Sequence, residues 1–128
     1  MHDKNGLTHT PSSFHASLRD WGRIALHVLK QVKTNKDDCY SRYVKAATST
    51  QIKNKSKEFG DAFWIGRAFE GYGYQFWTEN QSDRDSIYMI GYLGQRIAIN
   101  PQKERIMVVL SYREDYMGQL YRLFGSWK

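Results

Sequence analysis

The chain has 128 residues, the size of one domain. Its 41% hydrophobic and 15% aromatic content excludes a disordered tail, which is poor in aromatics. A formal net charge of +6, from 19 Lys+Arg against 13 Asp+Glu, suits anionic partners only if the cations gather on one surface.

Residues 1–16 carry Gly6, Pro11, Ser12 and Ser13 without periodicity and read as loop. SLRDWGRIALHVLKQV follows. Ser17 with Asp20 three residues on is a capping box. Leu18, Trp21, Ile24, Ala25, Val28, Leu29 and Val32 then recur at helical spacing, which predicts a helix over 17–32. A second helix is predicted over 37–47, DDCYSRYVKAA. Asp37 and Asp38 sit at its positive end, and Tyr40, Tyr43, Val44 and Ala47 line one face. Residues 48–60 are polar and basic and read as loop. The run 61–71, DAFWIGRAFEG, fits either a helical turn or an irregular segment.

Strands are predicted at 72–78 (YGYQFWT), 86–93 (SIYMIGYL), 95–101 (QRIAINP) and 104–112 (ERIMVVLSY). The turn Pro-Gln-Lys-Glu joins the last two into a hairpin. The chain closes with a helix over 114–127 whose Tyr116, Leu120, Leu123 and Phe124 are expected to face the sheet. The plan is α+β, an antiparallel sheet with a covering C-terminal helix, leaving the other face and at least one edge bare. One domain is expected over 1–128, with a helical region at 1–60 and the sheet and last helix at 61–128. GYGYQFW (71–77) and GYLGQRIAINP (91–101) mix glycine with aromatics. Glycine weakens a strand, so a neighbouring element or a ligand is expected to approach the backbone at both places.

Three stretches together resemble the C-terminal portion of the class C β-lactamase-like serine hydrolases, the branch that also holds carboxylesterases and 6-aminohexanoate-dimer hydrolases. SLRDWGRIALHVL looks like that family's Ser/Thr-x-Arg-Asp helix. GYGYQFW looks like its Gly-Tyr-Gly-aromatic strand. GYLGQRIAINPQKERIMVVLS looks like its last hairpin, with Asn100-Pro101 where Asp-Pro is usual. The resemblance spans about residues 13–125. It implies part of the β-lactamase/transpeptidase-like fold, with the N-terminal strands and most of the helical subdomain missing. It also implies that an edge strand lies along the substrate, and that the backbone around Gly91, Tyr92 and Gly94 forms the cleft edge and one oxyanion donor.

The family's chemistry is acyl transfer by a serine in Ser-x-x-Lys, helped by a tyrosine. A serine hydroxyl needs such a neighbouring base to attack. No serine of this chain has lysine at the third following position, and no tyrosine is followed by x-Asn. Thr50-Gln51-Ile52-Lys53 has the spacing but lies in the polar loop. Lys33-Thr34-Asn35 echoes the family's Lys-Thr-Gly triplet but follows a helix, and the expected triplet position reads Ile90-Gly91-Tyr92. The resemblance therefore implies a C-terminal piece, inactive alone, of an ester or amide hydrolase. Its expected partners are the missing N-terminal part or a second copy of the chain. A split enzyme completed by another chain is an alternative.

The remaining residues read as structural. His15 and His27 are expected to be partly buried. Arg19, Asp20 and Arg23 are expected to pair or cap locally. Glu79, Asp83 and Asp85 are expected in a solvated loop, and Trp64, Trp77 and Trp127 in core or interface. The single cysteine, Cys39, has no zinc-ligand neighbours, so no cofactor or metal is expected and a reducing compartment fits. MHDKNGLTHT has no apolar core of the signal-peptide kind, and no membrane span is expected; localisation stays open, cytoplasmic if the chain is expressed as written, with an exported parent as the alternative. Lys30, Lys33, Lys36, Lys45, Lys53, Lys55 and Lys57 read as a solvated stretch, with nucleic acid the lesser partner. The second reading of the whole chain is an aromatic, basic sheet that binds single-stranded nucleic acid by stacking.

Overall fold

A computed structural model describes residues 4–7, 14–54, 69–79, 86–113 and 115–126. The expectations for 1–3, 8–13, 55–68, 80–85, 114 and 127–128, including Trp64, Asp83, Asp85 and Trp127, lie outside the described residues. The chain runs α1 (Leu18–Lys33), α2 (Cys39–Ala47), β1 (Ile52–Lys53), β2 (Gly71–Tyr72), β3 (Trp77–Glu79), β4 (Ser86–Ile90), β5 (Arg96–Asn100), β6 (Arg105–Val109) and α3 (Met117–Ser126). The six strands form one antiparallel sheet in sequence order. The α+β class expected from the sequence stands.

Both first helices start where their caps place them. The Ser17 hydroxyl accepts the Asp20 N–H at 3.2 Å and donates to the Asp20 carboxylate at 2.7 Å. The Asp38 carboxylate accepts the Ser41 N–H at 2.8 Å and opens α2. These bonds satisfy donors that a helix start leaves orphaned. They also hold both carboxyls below their usual range. For Asp20 the Ser17 hydroxyl is the larger cause and Arg23 the next; for Asp38 the Ser41 N–H and hydroxyl lead.

The sheet carries two cores. On one face Ala25, Val28 and Leu29 of α1 and Val44 of α2 pack on Ile87, Ile97 and Ile99. On the other, Phe124 of α3 packs with Phe69, Tyr88 and Ala98. The expectation of one bare face is corrected: the N-terminal helix covers it. The period of two along β4 and β5 sends alternate residues to the two cores. Leu18 and Leu123, expected at the apolar faces of their helices, are 54% and 49% exposed. Leu18 is the first residue of α1, at the end of the helix, and Leu123 is turned about 100° around α3 from the buried Phe124. The polar segment 48–60, expected as loop, contains the two-residue strand β1 at Ile52–Lys53.

GYGYQFW is not one strand. It turns back on itself between β2 and β3, with Gln75 at φ 68°. The Gly73 N–H donates to Phe76 O at 2.7 Å, and the Tyr74 N–H donates to Ala47 O at 2.9 Å. The C-terminus of α2 therefore presses on this tip, and a Cβ built on Gly73 overlaps the Ala47 carbonyl oxygen. The element that approaches the glycine is a helix end. The expected last hairpin is present: the Asn100 side-chain oxygen accepts the Lys103 N–H at 2.8 Å and sets the turn between β5 and β6.

Gly73→Ala is expected to destabilise the fold by about 1–3 kcal/mol, because a backbone carbonyl has to move. Gly22→Ala, mid-helix with nothing near its added methyl, is expected to stabilise by about 0.5–1 kcal/mol. Urea midpoints of the two variants check both. The carboxyls of Asp20 and Asp38 are depressed in the folded state, so their contribution is present above the unfolded value of about 4 and lost as pH falls through the lower folded values. Helical circular dichroism is expected to hold between about pH 5 and 7 and to weaken below about pH 4. In Ser17→Ala, which costs about 1 kcal/mol, that acid dependence is expected to be shallower.

Candidate functional site

The sequence points to Gly91, Tyr92 and Gly94, and the structure gathers them at the corner joining β4 to β5. The strand predicted over 86–93 ends at Ile90 because the chain enters a single 3₁₀ turn at Tyr92–Gly94. Leu93 takes left-handed φ 53°, ψ 35°, and Gly94 follows at φ 85°. Left-handed backbone costs a non-glycine residue roughly 1–2 kcal/mol, so neighbouring contacts must hold it. The expected edge strand is placed differently: β4 lies between β3 and β5, and the sheet's outer strands are β1 and β6.

The contacts that hold the corner converge on one side chain the sequence does not flag. Arg96 is 2% exposed. Its Nη1 donates to Gly91 O at 2.5 Å and to Gln95 O at 2.8 Å, tying the two ends of the turn from beneath. The Gly91 N–H donates to the same Gln95 carbonyl at 2.8 Å. A Cβ on Gly91 would stand 2.9 Å from Gln95 Cβ, so glycine is required there. The Gln95 amide reaches Ser111 O, and the Ser111 hydroxyl meets Tyr116 OH, which anchors the corner to the chain entering α3. Arginine in a strand pattern reads as solvent-facing, so only the tertiary structure reveals this staple.

Among the described residues, the turn leaves a backbone donor without a partner. The Tyr92 N–H, at the first position of the 3₁₀ turn, makes no hydrogen bond among the described residues, while the Gly91 N–H is spent inside the turn. Tyr92 is 84% exposed and Tyr112 86% exposed, with Leu93 and Leu110 beside them in sequence. The nearest cation along the chain past β6, Arg113, is held by Asp115 at 2.5 Å. That pair lowers the Asp115 carboxyl below its ordinary range and raises the guanidinium.

The other sequence candidates disperse. Thr50 precedes β1 and Lys53 is its second residue, so the pair does not lie one turn apart on a helix. Thr50 Oγ1 is spent on Thr78 Oγ1 at 2.5 Å. Lys33 is paired with Glu104, whose carboxyl it lowers. His15 and His27 are exposed, correcting the expectation of partial burial; His27 Nε2 meets Tyr40 OH at 2.9 Å. Glu79 is part of β3 and accepts the Tyr88 hydroxyl at 2.6 Å. Asp20 binds Arg23 at 2.6 Å, the local pairing expected. A separate cleft of about 540 Å³ opens between the end of α2 and the sheet, lined by Lys45, Thr48, Thr50, Thr78, Glu79 and Ser86. Its hydroxyls are engaged: Thr48 donates to Val44 O at 2.8 Å, and Asn100 donates to Ser86 Oγ at 3.2 Å. Among the described residues no cluster of three His, Cys, Asp or Glu side chains could hold a metal ion, and no helix is long and apolar enough to cross a membrane.

Arg96→Met is expected to cost about 2–4 kcal/mol, because the carbonyls of Gly91 and Gln95 lose a charged donor that sits in a buried place. Hydrogen exchange at Gly91 and Gln95 is expected to rise more than at the β5–β6 pairs. Uniform acceleration across the sheet would deny Arg96 a specific role in the corner. Comparison with protein-family models, with curated proteins and with solved structures finds no match.

Proposed function

We propose that this chain is a C-terminal portion of a β-lactamase-related serine hydrolase. It would supply one wall of an acyl-transfer pocket and one oxyanion donor. The Ser-x-x-Lys nucleophile and the tyrosine would come from polypeptide outside these 128 residues. The carrying observation is the unspent Tyr92 N–H on a turn that Arg96 and Gln95 hold rigid. Serine attack turns a carbonyl oxygen into an oxyanion. A donor already aimed at that place, with no reorganisation needed, is worth a few kcal/mol of barrier. The antiparallel sheet with a helix closing the chain, and the order of the three resembling segments, support the same reading.

The corner also speaks to the substrate. Where the β-lactam-binding members carry the lysine of Lys-Thr-Gly, this chain has Ile90. Tyr92, Leu93, Leu110 and Tyr112 add apolar surface and no charge. A neutral ester or amide suits that rim better than an acyl donor bearing a carboxylate.

Two measurements test the proposal. The purified chain is expected to hydrolyse p-nitrophenyl esters no faster than its heat-denatured control and to form no adduct with a serine-directed phosphonate. A labelled serine would overturn it. Co-expressed with the polypeptide encoded immediately upstream, the chain is expected to restore turnover. In that complex Tyr92→Pro, tolerated at the first position of a helical turn, removes the N–H and is expected to lower kcat by roughly 10²–10³. Tyr92→Ala keeps the donor and is expected to leave kcat within a few-fold.

A further inference from the structure

Four aromatic rings stand in line on the surface built by α1, α2 and the β2–β3 tip. Tyr74 and Tyr43 lie with centroids 6.0 Å apart and planes tilted by 31°. Tyr40 and Tyr43 are three residues apart on α2 and so share a helix face. Tyr40 and His27 lie 5.7 Å apart with planes tilted by 35°. The three tyrosines are 50%, 56% and 46% exposed at positions 40, 43 and 74, so each keeps a large part of its surface in water. Their positions are fixed. The Tyr74 N–H is bonded to Ala47 O, and His27 Nε2 is bonded to Tyr40 OH.

Cations flank the line. Lys30 is one helical turn beyond His27, Lys36 lies in the linker to α2, and Arg42 adjoins Tyr43; all three are exposed. Lys30 and Lys36 make no ion pair among the described residues, and Arg42 has only a 4.0 Å contact to Asp37. The other acid of this stretch, Asp38, caps α2, and Lys36 also attracts its carboxylate.

We propose that this strip binds single-stranded nucleic acid, bases stacking on Tyr74, Tyr43 and Tyr40 and phosphates meeting Lys30, Lys36 and Arg42. Exposed rings in succession beside exposed cations are the pattern of sequence-tolerant single-strand binders. A duplex hides its base faces and does not suit the rings. A neutral sugar would use the rings but leave the cations idle. The sequence suggested stacking on the sheet; helices pack on both sheet faces, and the tyrosines of this strip lie on α2 and the hairpin tip instead. The inference is independent of the hydrolase reading.

The test is fluorescence anisotropy of a labelled oligothymidylate titrated with the full chain at several salt concentrations. Binding is expected, weakening with salt. Lys30→Gln with Lys36→Gln is expected to flatten the log–log salt slope by about 1.4, roughly 0.7 for each phosphate no longer neutralised. Tyr43→Ala and Tyr74→Ala are each expected to weaken binding roughly tenfold, and Tyr43→Phe to leave it within about twofold. In the unaltered chain, the ring resonances of Tyr40, Tyr43 and Tyr74 are expected to shift on titration, a readout that no folding defect can mimic. Absence of salt-sensitive binding, unchanged ring resonances, or equal competition by a neutral oligosaccharide would each overturn the proposal.

Discussion

Strand β5 is buried along its whole length and paired on both edges, and the architecture follows from that constraint. Its backbone groups are met by β4 and β6. Ile97 and Ile99 need an apolar cover on one side, which α1 provides; Ala98 needs one on the other, which Phe124 of α3 provides. The small Ala98 side chain leaves room for the Tyr88 and Phe124 rings, whose centroids lie 6.5 Å apart. The polar residues at the strand's ends, Arg96 and Asn100, are both buried and both bonded to the turns they adjoin. A strand with burial on all sides thus fixes the two hairpin corners as well as the two helix layers.

From the same constraint comes the contrast between the two surfaces proposed to act. The β4–β5 corner is tied by the buried Arg96 guanidinium, and the outcome is a turn with left-handed backbone at Leu93. The tyrosine strip is set by backbone contact instead. Ala47 at the end of α2 takes the Tyr74 N–H, which lays the hairpin tip against the helix and Tyr74 beside Tyr43. In the meander both turns fall at the same end of the sheet, since β2–β3 and β4–β5 are alternate hairpins. Acyl transfer and strand binding call for different chemistry, and the two surfaces have it: apolar side chains at the corner, cations and tyrosines at the strip.

Much of the fold was legible where local chemistry decides. Ser17 with Asp20, and Asp38, announce two helix starts that side-chain capping enforces. Asn100-Pro101 announces a turn closed by the Asn100 side chain. The continuous apolar run of β6 and the period-two pattern of β5 announce strands. The tip GYGYQFW was not legible, because aromatics alternating with glycines look alike in a strand and in a tight reversal; the positive φ of Gln75 distinguishes them only after folding. Strand β1, two residues long, is too short to show a period. Arg96 carries no signal, since arginine is rarely buried and it is partners distant in the fold, the Gly91 carbonyl among them, that make burial tolerable.

By itself, the sequence determined the α+β class, the places where helices begin, the last hairpin, and the absence of any Ser-x-x-Lys within the chain, because each of these depends on residues close together along it. Tertiary structure alone decided that α1 covers the second sheet face, that β4 lies inside the sheet, that the Tyr92 N–H is left unspent, and that Tyr74 joins Tyr43 and Tyr40. The physical reason is that these outcomes depend on contacts between distant segments, where packing and the satisfaction of backbone groups choose among arrangements that local preference leaves equal.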